Sequence, residues 1–190
     1  MKRIALLALG GVLLAGGVCA ADLDNGRKVA NMCRTCHGLD GYAAIPIAPH
    51  IGGEPAAYLQ AQLMAFKTGA REHEMMSIVA SSLSTQQIAN VAAWYAQYPV
   101  TATLPDGVSA DDAPAGCVAC HGADGISELP DVPNLAGEVN IYIDTQLKAF
   151  RNGKRVHEIM TEVSADLTDA EIREYADWYA EVKLKIMEPE

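Results

Sequence analysis

Cys33-Arg34-Thr35-Cys36-His37-Gly38 recurs 84 residues later as Cys117-Val118-Ala119-Cys120-His121-Gly122. C-x-x-C-H is the attachment sequence of a c-type haem, in which two thioether bonds fix the porphyrin and the adjoining histidine reaches the iron. A zinc site and a redox disulfide are the competing uses of paired cysteines. Two copies in the same register favour two haem c groups. Cys33, Cys36, Cys117 and Cys120 are then the covalent attachment points, and His37 and His121 are candidate iron ligands.

Outward from these motifs the same offset holds without an insertion, and 27 of the 66 positions from Cys33 to Tyr98 are identical to their partners in Cys117 to Val182. Two copies of one domain follow. The matched positions include Asp40 and Gly41 with Asp124 and Gly125, and Gly53 and Glu54 with Gly137 and Glu138, which mark a loop leaving the haem motif. Helices are predicted from Pro55 to Lys67, with Gly69 beyond its end, and from Val139 to Arg151, with Gly153. Ser84-Thr85-Gln86-Gln87 and Thr168-Asp169-Ala170-Glu171 are capping boxes that open further helices carrying Trp94-Tyr95 and Trp178-Tyr179. Those tryptophans read as core. Leu23 to Met32 reads as a short helix leading into Cys33, whereas Pro114 truncates the equivalent approach to Cys117. The expected division is a first domain over 21–98, a wet linker rich in proline and aspartate over 99–114, and a second domain over 115–190.

A domain of about 80 residues buries a modest core, and a covalent haem would supply its centre. The sixth iron position separates electron transfer, which wants a closed shell, from catalysis or gas binding, which wants an open one. Of Met64, Met75 and Met76, only Met76 has a methionine at the matched position, Met160, and both lie 39 residues after their histidine. His73 and His157 also match, three residues before each methionine. They remain open as rival ligands, as tuning groups or as loop histidines bonded to a propionate or to backbone. His50 aligns with Asn134 and reads as a loop residue. Arg71 and Arg155 follow the helix-ending glycines and are candidates to bind propionates through charge-assisted bonds, with help from the hydroxyls of Tyr58 and Tyr142.

The chain of 190 residues begins with Lys2 and Arg3, an apolar run from Ile4 to Val18 and a small-residue end at Ala20, the pattern of a cleaved signal peptide over 1–20. Val18 before Cys19 departs from the lipoprotein pattern, so Cys19 is expected to be discarded. No later stretch approaches the length of a membrane span, which predicts a periplasmic mature chain without a transmembrane segment. Without Lys2 and Arg3 the charge is −12, which argues against nucleic-acid binding. Residues 21–105 are near neutral at −1, whereas residues 106–190 carry −11, so a charged partner meets two different ends.

The paired C-x-x-C-H-G-x-D-G motifs, Pro133-Asn134-Leu135-Ala136-Gly137-Glu138, the Y-x-x-x-Q-L helices, F-x-x-G-x-R and the late methionines together resemble the di-haem cytochrome c4 family. The resemblance implies an all-α fold of two class I cytochrome c domains in tandem, each wrapped around its haem. It also implies ligation by His37 with Met76 and His121 with Met160. The role it implies is an electron carrier, not an enzyme, passing electrons between redox proteins such as a cytochrome bc1 complex and a terminal oxidase of the cbb3 type. The alternatives are the cytochrome subunit of a flavoprotein sulfide dehydrogenase or another periplasmic dehydrogenase, and a di-haem enzyme with an open iron.

Overall fold

Asp22 opens the first helix, its side chain accepting from the Asn25 amide, and helix α1 runs over Leu23–His37 in a computed structural model that describes residues 20–190. The signal peptide read from the sequence lies, apart from Ala20, outside the described residues. Helices α2 (Ala56–Thr68), α3 (Glu74–Ser81) and α4 (Thr85–Ala96) complete the first half. Strand β1 (Val100–Thr103) and a single 3-10 turn at Ala110–Asp112 lead to α5 (Ala115–His121), α6 (Asn140–Arg151), α7 (Glu158–Ala165), α8 (Asp169–Glu181) and strand β2 (Lys183–Ile186).

In the first half α4 packs on both α1 and α2, and α3 packs on α2. Val29, Ala30, Leu59, Ile88, Val91 and Tyr95 form the buried cluster between them. Gly26 lets α1 cross α4 closely, because a Cβ there would stand 2.3 Å from the Asn90 carbonyl oxygen. In the second half α8 packs on α6, and α6 on α7, around Ile143, Leu147, Ile172, Ala176 and Tyr179. The truncation expected there is present: α5 has seven residues against the 15 of α1, and Pro114 caps it.

Both capping boxes form in full, with Ser84 and Gln87 opening α4 and Thr168 and Glu171 opening α8. Pro55 sits one place earlier than expected, as the N-cap of α2, and Gly69 ends that helix in the left-handed region at φ 80°. Helices α3 and α7 were not expected. Eight residues show little periodicity, and each is opened by a histidine where Ser, Thr, Asp or Asn is the usual signal.

The segment read as a wet linker carries more structure than its composition suggests. Val100 to Thr103 pairs antiparallel with Ile186 to Lys183, and the Met187 amide donates to the Pro99 carbonyl at 2.9 Å. Alternating Thr and Val against Leu and Ile suits a half-buried ribbon. Val100 abuts Gly53, Leu184 abuts Gly137 and Ile186 abuts Gly52, so the ribbon joins the end of each half to the loop that follows each haem motif.

Candidate functional site

Each C-x-x-C-H motif occupies the last turns of a helix, α1 or α5, so both cysteines and the histidine are presented on consecutive turns. Gly38 and Gly122, at φ 72° and 75°, turn the chain sharply away. The loop then returns on itself: Ile51 N–H donates to the Gly41 carbonyl at 2.8 Å, and Leu135 N–H to that of Gly125 at 2.7 Å. Gly41 is required there, since its Cβ would lie 2.1 Å from the Gly52 nitrogen.

This return brings a carbonyl onto each motif histidine. His37 Nδ1 donates to the Pro49 carbonyl and His121 Nδ1 to that of Pro133, both at 2.9 Å. The bond places the ring proton on Nδ1 and leaves the Nε2 lone pair free, the form in which imidazole ligates a metal. Both rings are buried, and burial holds each below the ordinary histidine range, so they are neutral. None of the four motif cysteines is paired in a disulfide, so each sulfur is available for a thioether bond. Two thiols and one neutral, oriented imidazole per half form the donor set that a covalent haem needs.

The last helix of each half holds the loop in place. Tyr95 Oη donates to the Gly38 carbonyl and Tyr179 Oη to that of Gly122, both at 3.1 Å. Trp94 Nε1 donates to Leu39 at 3.2 Å, and Trp178 Nε1 to Ala123 at 3.0 Å. The tryptophans are structural, as expected. The tyrosines' role was readable only as a repeated neighbour of the tryptophans.

Met76 and Met160 lie in the first turns of α3 and α7, both half-buried, with Met160 against the second core. Met75 points outward at 62 % exposure, as does its counterpart Ile159 at 55 %, whereas Met64 packs against the first core. His73 Nδ1 accepts from the amides of Met75 and Met76 at 3.3 and 3.4 Å, and His157 Nδ1 accepts from Met160 at 3.3 Å. Both histidines are exposed N-caps of the methionine helices, in keeping with the backbone-bonded alternative.

Arg71, Arg155, Tyr58 and Tyr142 meet in one network across the two halves. Arg71 donates to Gln62 and Gln146, both at 2.7 Å, and to Tyr142 at 3.2 Å. Arg155 mirrors it, donating to Gln146 at 2.8 Å, Gln62 at 2.9 Å and Tyr58 at 3.3 Å. Each guanidinium also lies 4.5 Å from the ring centre of its own half's Phe66 or Phe150. Every acceptor is neutral, and among the described residues neither arginine joins an ion pair. Two half-buried cations without anions fit a pair of carboxylate-bearing groups.

Sequence reading missed a second crossing. His50 is buried rather than a plain loop residue: its Nδ1 accepts from the Ala43 amide at 2.8 Å and its Nε2 donates to the Gly137 carbonyl at 3.0 Å. Its amide donates to Glu138 Oε2, and the Asn134 amide donates to Glu54 Oε2, both at 3.0 Å. Asn134 Nδ2 also donates to the Gly53 carbonyl at 3.0 Å. Burial raises both acids, Glu138 to about 8 and Glu54 well above the usual carboxylate range. The only hint in the sequence was the repeated Gly-Glu pair.

A helical domain ending its first helix in C-x-x-C-H, built twice and joined face to face, defines the class as a di-haem c-type cytochrome. The family model "Cytochrome c" matches residues 112–181. The chain is 33% identical to "Thiosulfate dehydrogenase electron acceptor" of Stutzerimonas stutzeri, over 82% of this chain and 81% of that protein. It is 30% identical to "Cytochrome c4" of Pseudomonas aeruginosa, over 87% and 89%. The crystal structure of reduced recombinant cytochrome c4 from Pseudomonas stutzeri superposes with a TM-score of 0.74 at 26% identity, covering 86% of this chain and all of that one. The chain belongs to the cytochrome c4 family. Among the described residues no helix is long and apolar enough to cross a membrane.

Proposed function

We propose that this cytochrome is a periplasmic electron carrier, without catalysis of its own, that takes electrons from one redox protein and delivers them toward a terminal oxidase. The observation that carries the reading is the double crossing between the halves, which binds both histidine-bearing loops into one unit. Haem supplies the one-electron chemistry. The chain's own residues attach it through Cys33, Cys36, Cys117 and Cys120 and ligate it through His37 and Met76 in one half and His121 and Met160 in the other. Arg71 and Arg155, assisted by Tyr58 and Tyr142, are the cations for the propionates. Methionine at the sixth position closes the shell and raises the potential, which suits a carrier.

A second reading, electron acceptor of a periplasmic dehydrogenase, is favoured by the relative named for thiosulfate dehydrogenase. The two readings share one test. Stopped-flow reduction of the holoprotein is followed with a thiosulfate dehydrogenase, a cytochrome bc1 complex or a flavoprotein sulfide dehydrogenase as donor, and its reoxidation with a cbb3-type oxidase. Fast reduction by thiosulfate dehydrogenase alone selects the second reading. Cycling between bc1 and the oxidase selects the first, and turnover of peroxide or a sulfur compound by the chain by itself overturns both.

The strongly acidic second half is proposed to dock a basic partner. Asp169 accepts from Arg151 at 2.6 Å and Glu171 belongs to the capping box of α8, so these two acids have structural work. Asp166 and Glu174 are exposed, and Asp166→Asn with Glu174→Gln is the cleaner neutralisation. It should slow one partner's salt-sensitive reaction severalfold, and equal rates with every partner would remove the docking idea.

A further inference from the structure

The crossing at Glu54 and Glu138 contains a connection that runs through single peptide groups. The peptide joining Pro49 to His50 accepts from His37 Nδ1 on its carbonyl and donates from its N–H to Glu138 Oε2, at 2.9 and 3.0 Å. The peptide joining Pro133 to Asn134 does the same between His121 and Glu54, at 2.9 and 3.0 Å. Each glutamate therefore lies one peptide away from the motif histidine of the opposite half. Two equivalent connections, built from different residues at His50 and Asn134, make an accident of loop packing a poor explanation.

We propose that Glu54 and Glu138 are crossed positioning residues: Glu138 sets the electron-donating strength of His37, and Glu54 that of His121, each through one peptide group in the other half. The inference rests on the ligand roles of His37 and His121. An ionised carboxylate draws on the peptide N–H, enriches the carbonyl oxygen and strengthens its bond to the imidazole Nδ1–H. A more strongly held Nδ1–H makes Nε2 the better donor to a metal, which favours the oxidised iron. Neutralising Glu138 should therefore make the haem of the first half easier to reduce.

The groups facing this pair come from both halves. Glu54 and Glu138 repel each other, His50 donates its amide to Glu138 from the first ligand loop, and Asp40 lies near the His50 ring. Tyr58 on α2 feels Glu54, Tyr142 and the two arginines of the interface. Burial in this surrounding keeps the acids protonated to higher pH than an exposed carboxylate, so the tuning is engaged on the alkaline side.

The test uses the full holoprotein, its E138Q and E54Q variants, and redox titration followed by NMR with the His37 and His121 ring signals assigned. In the reduced protein an iron-bound histidine is recognised by ring signals displaced by the haem, so loss of ligation is seen separately from loss of the relay. At pH 9, E138Q should shift the first-half haem about tenfold toward the reduced form, about 59 mV for one electron, and move the His37 Nδ1–H signal. E54Q should act in the same direction on the second-half haem and His121, and both shifts should shrink as pH falls. If a variant fails to fold, the wild-type titration serves: the His37 Nδ1–H signal and the first-half potential should titrate together between pH 5 and 9. A shift on the haem of the glutamate's own half, an equal shift on both haems, or none for E138Q at pH 9 overturns the proposal.

Discussion

Replacing Glu138 with glutamine removes a charge that the fold keeps out of water, and its effect on stability should change sign with pH. Glu138 ionises near 4.5 as an exposed side chain and at about 8 in the folded protein, chiefly because it is buried. Below 4.5 it is protonated folded and unfolded, and its contribution is fully present. Between 4.5 and 8 the unfolded chain releases the proton and the folded chain keeps it, so stability falls as pH rises, and above 8 the loss is complete. At about 1.4 kcal/mol per pH unit the span amounts to about 5 kcal/mol as an upper bound. Glutamine does not titrate, but its single carbonyl oxygen cannot accept from both the His50 and Val139 amides, which now share the two carboxylate oxygens. That loss costs about 1 kcal/mol. Glu138→Gln should therefore be slightly less stable than the parent at pH 4.5 and more stable at pH 9. The alkaline gain is roughly 10 °C in Tm for a chain of this size. Thermal unfolding of the holoprotein by circular dichroism at the two pH values measures it. Equal Tm differences at both, or a less stable variant at pH 9, would refute the reasoning.

Three further outcomes follow from local geometry. Gly26→Val should cost several kcal/mol and unfold the first half at lower temperature, since its Cβ would meet the Asn90 carbonyl at 2.3 Å. Ala110→Val, at an exposed position between the halves, should be neutral in the same melt. Tyr95→Phe and Tyr179→Phe each leave a glycine carbonyl without its 3.1 Å partner and should cost about 1 kcal/mol by denaturant titration. His73→Ala and His157→Ala remove an N-cap, worth about 1 kcal/mol, and should lower the temperature at which methionine leaves the iron. Asn at either position should restore it, which a ligand role for these histidines would not allow.

Covalent chemistry was legible because it needs fixed residue spacing: the C-x-x-C-H motifs, their offset and the matched Met76 and Met160 all follow from one register. The helices announced by capping boxes were equally plain, since Ser84 with Gln87 and Thr168 with Glu171 are local signals. Helices α3 and α7 were hidden, because eight residues show little periodicity and their histidine caps look like ligands. Contacts between the halves were less visible still. Nothing local in Gly-Glu says that Glu54 and Glu138 will be buried against the other half, and the β-ribbon pairs residues 80 to 86 positions apart. Arg71 and Arg155 were singled out for their charge, but that they share Gln62 and Gln146 depends on how two domains meet.

The proposed function requires two irons, each held by a histidine and a methionine. The most direct measurement is the weak far-red charge-transfer band of methionine sulfur on ferric haem, scaled to the haem content of the oxidised protein. A band of full strength for two haems per chain, halved in Met76→Ala and in Met160→Ala, is the predicted result. A half-strength or missing band in the parent protein would contradict it, and would put another ligand or an open iron in place of a methionine.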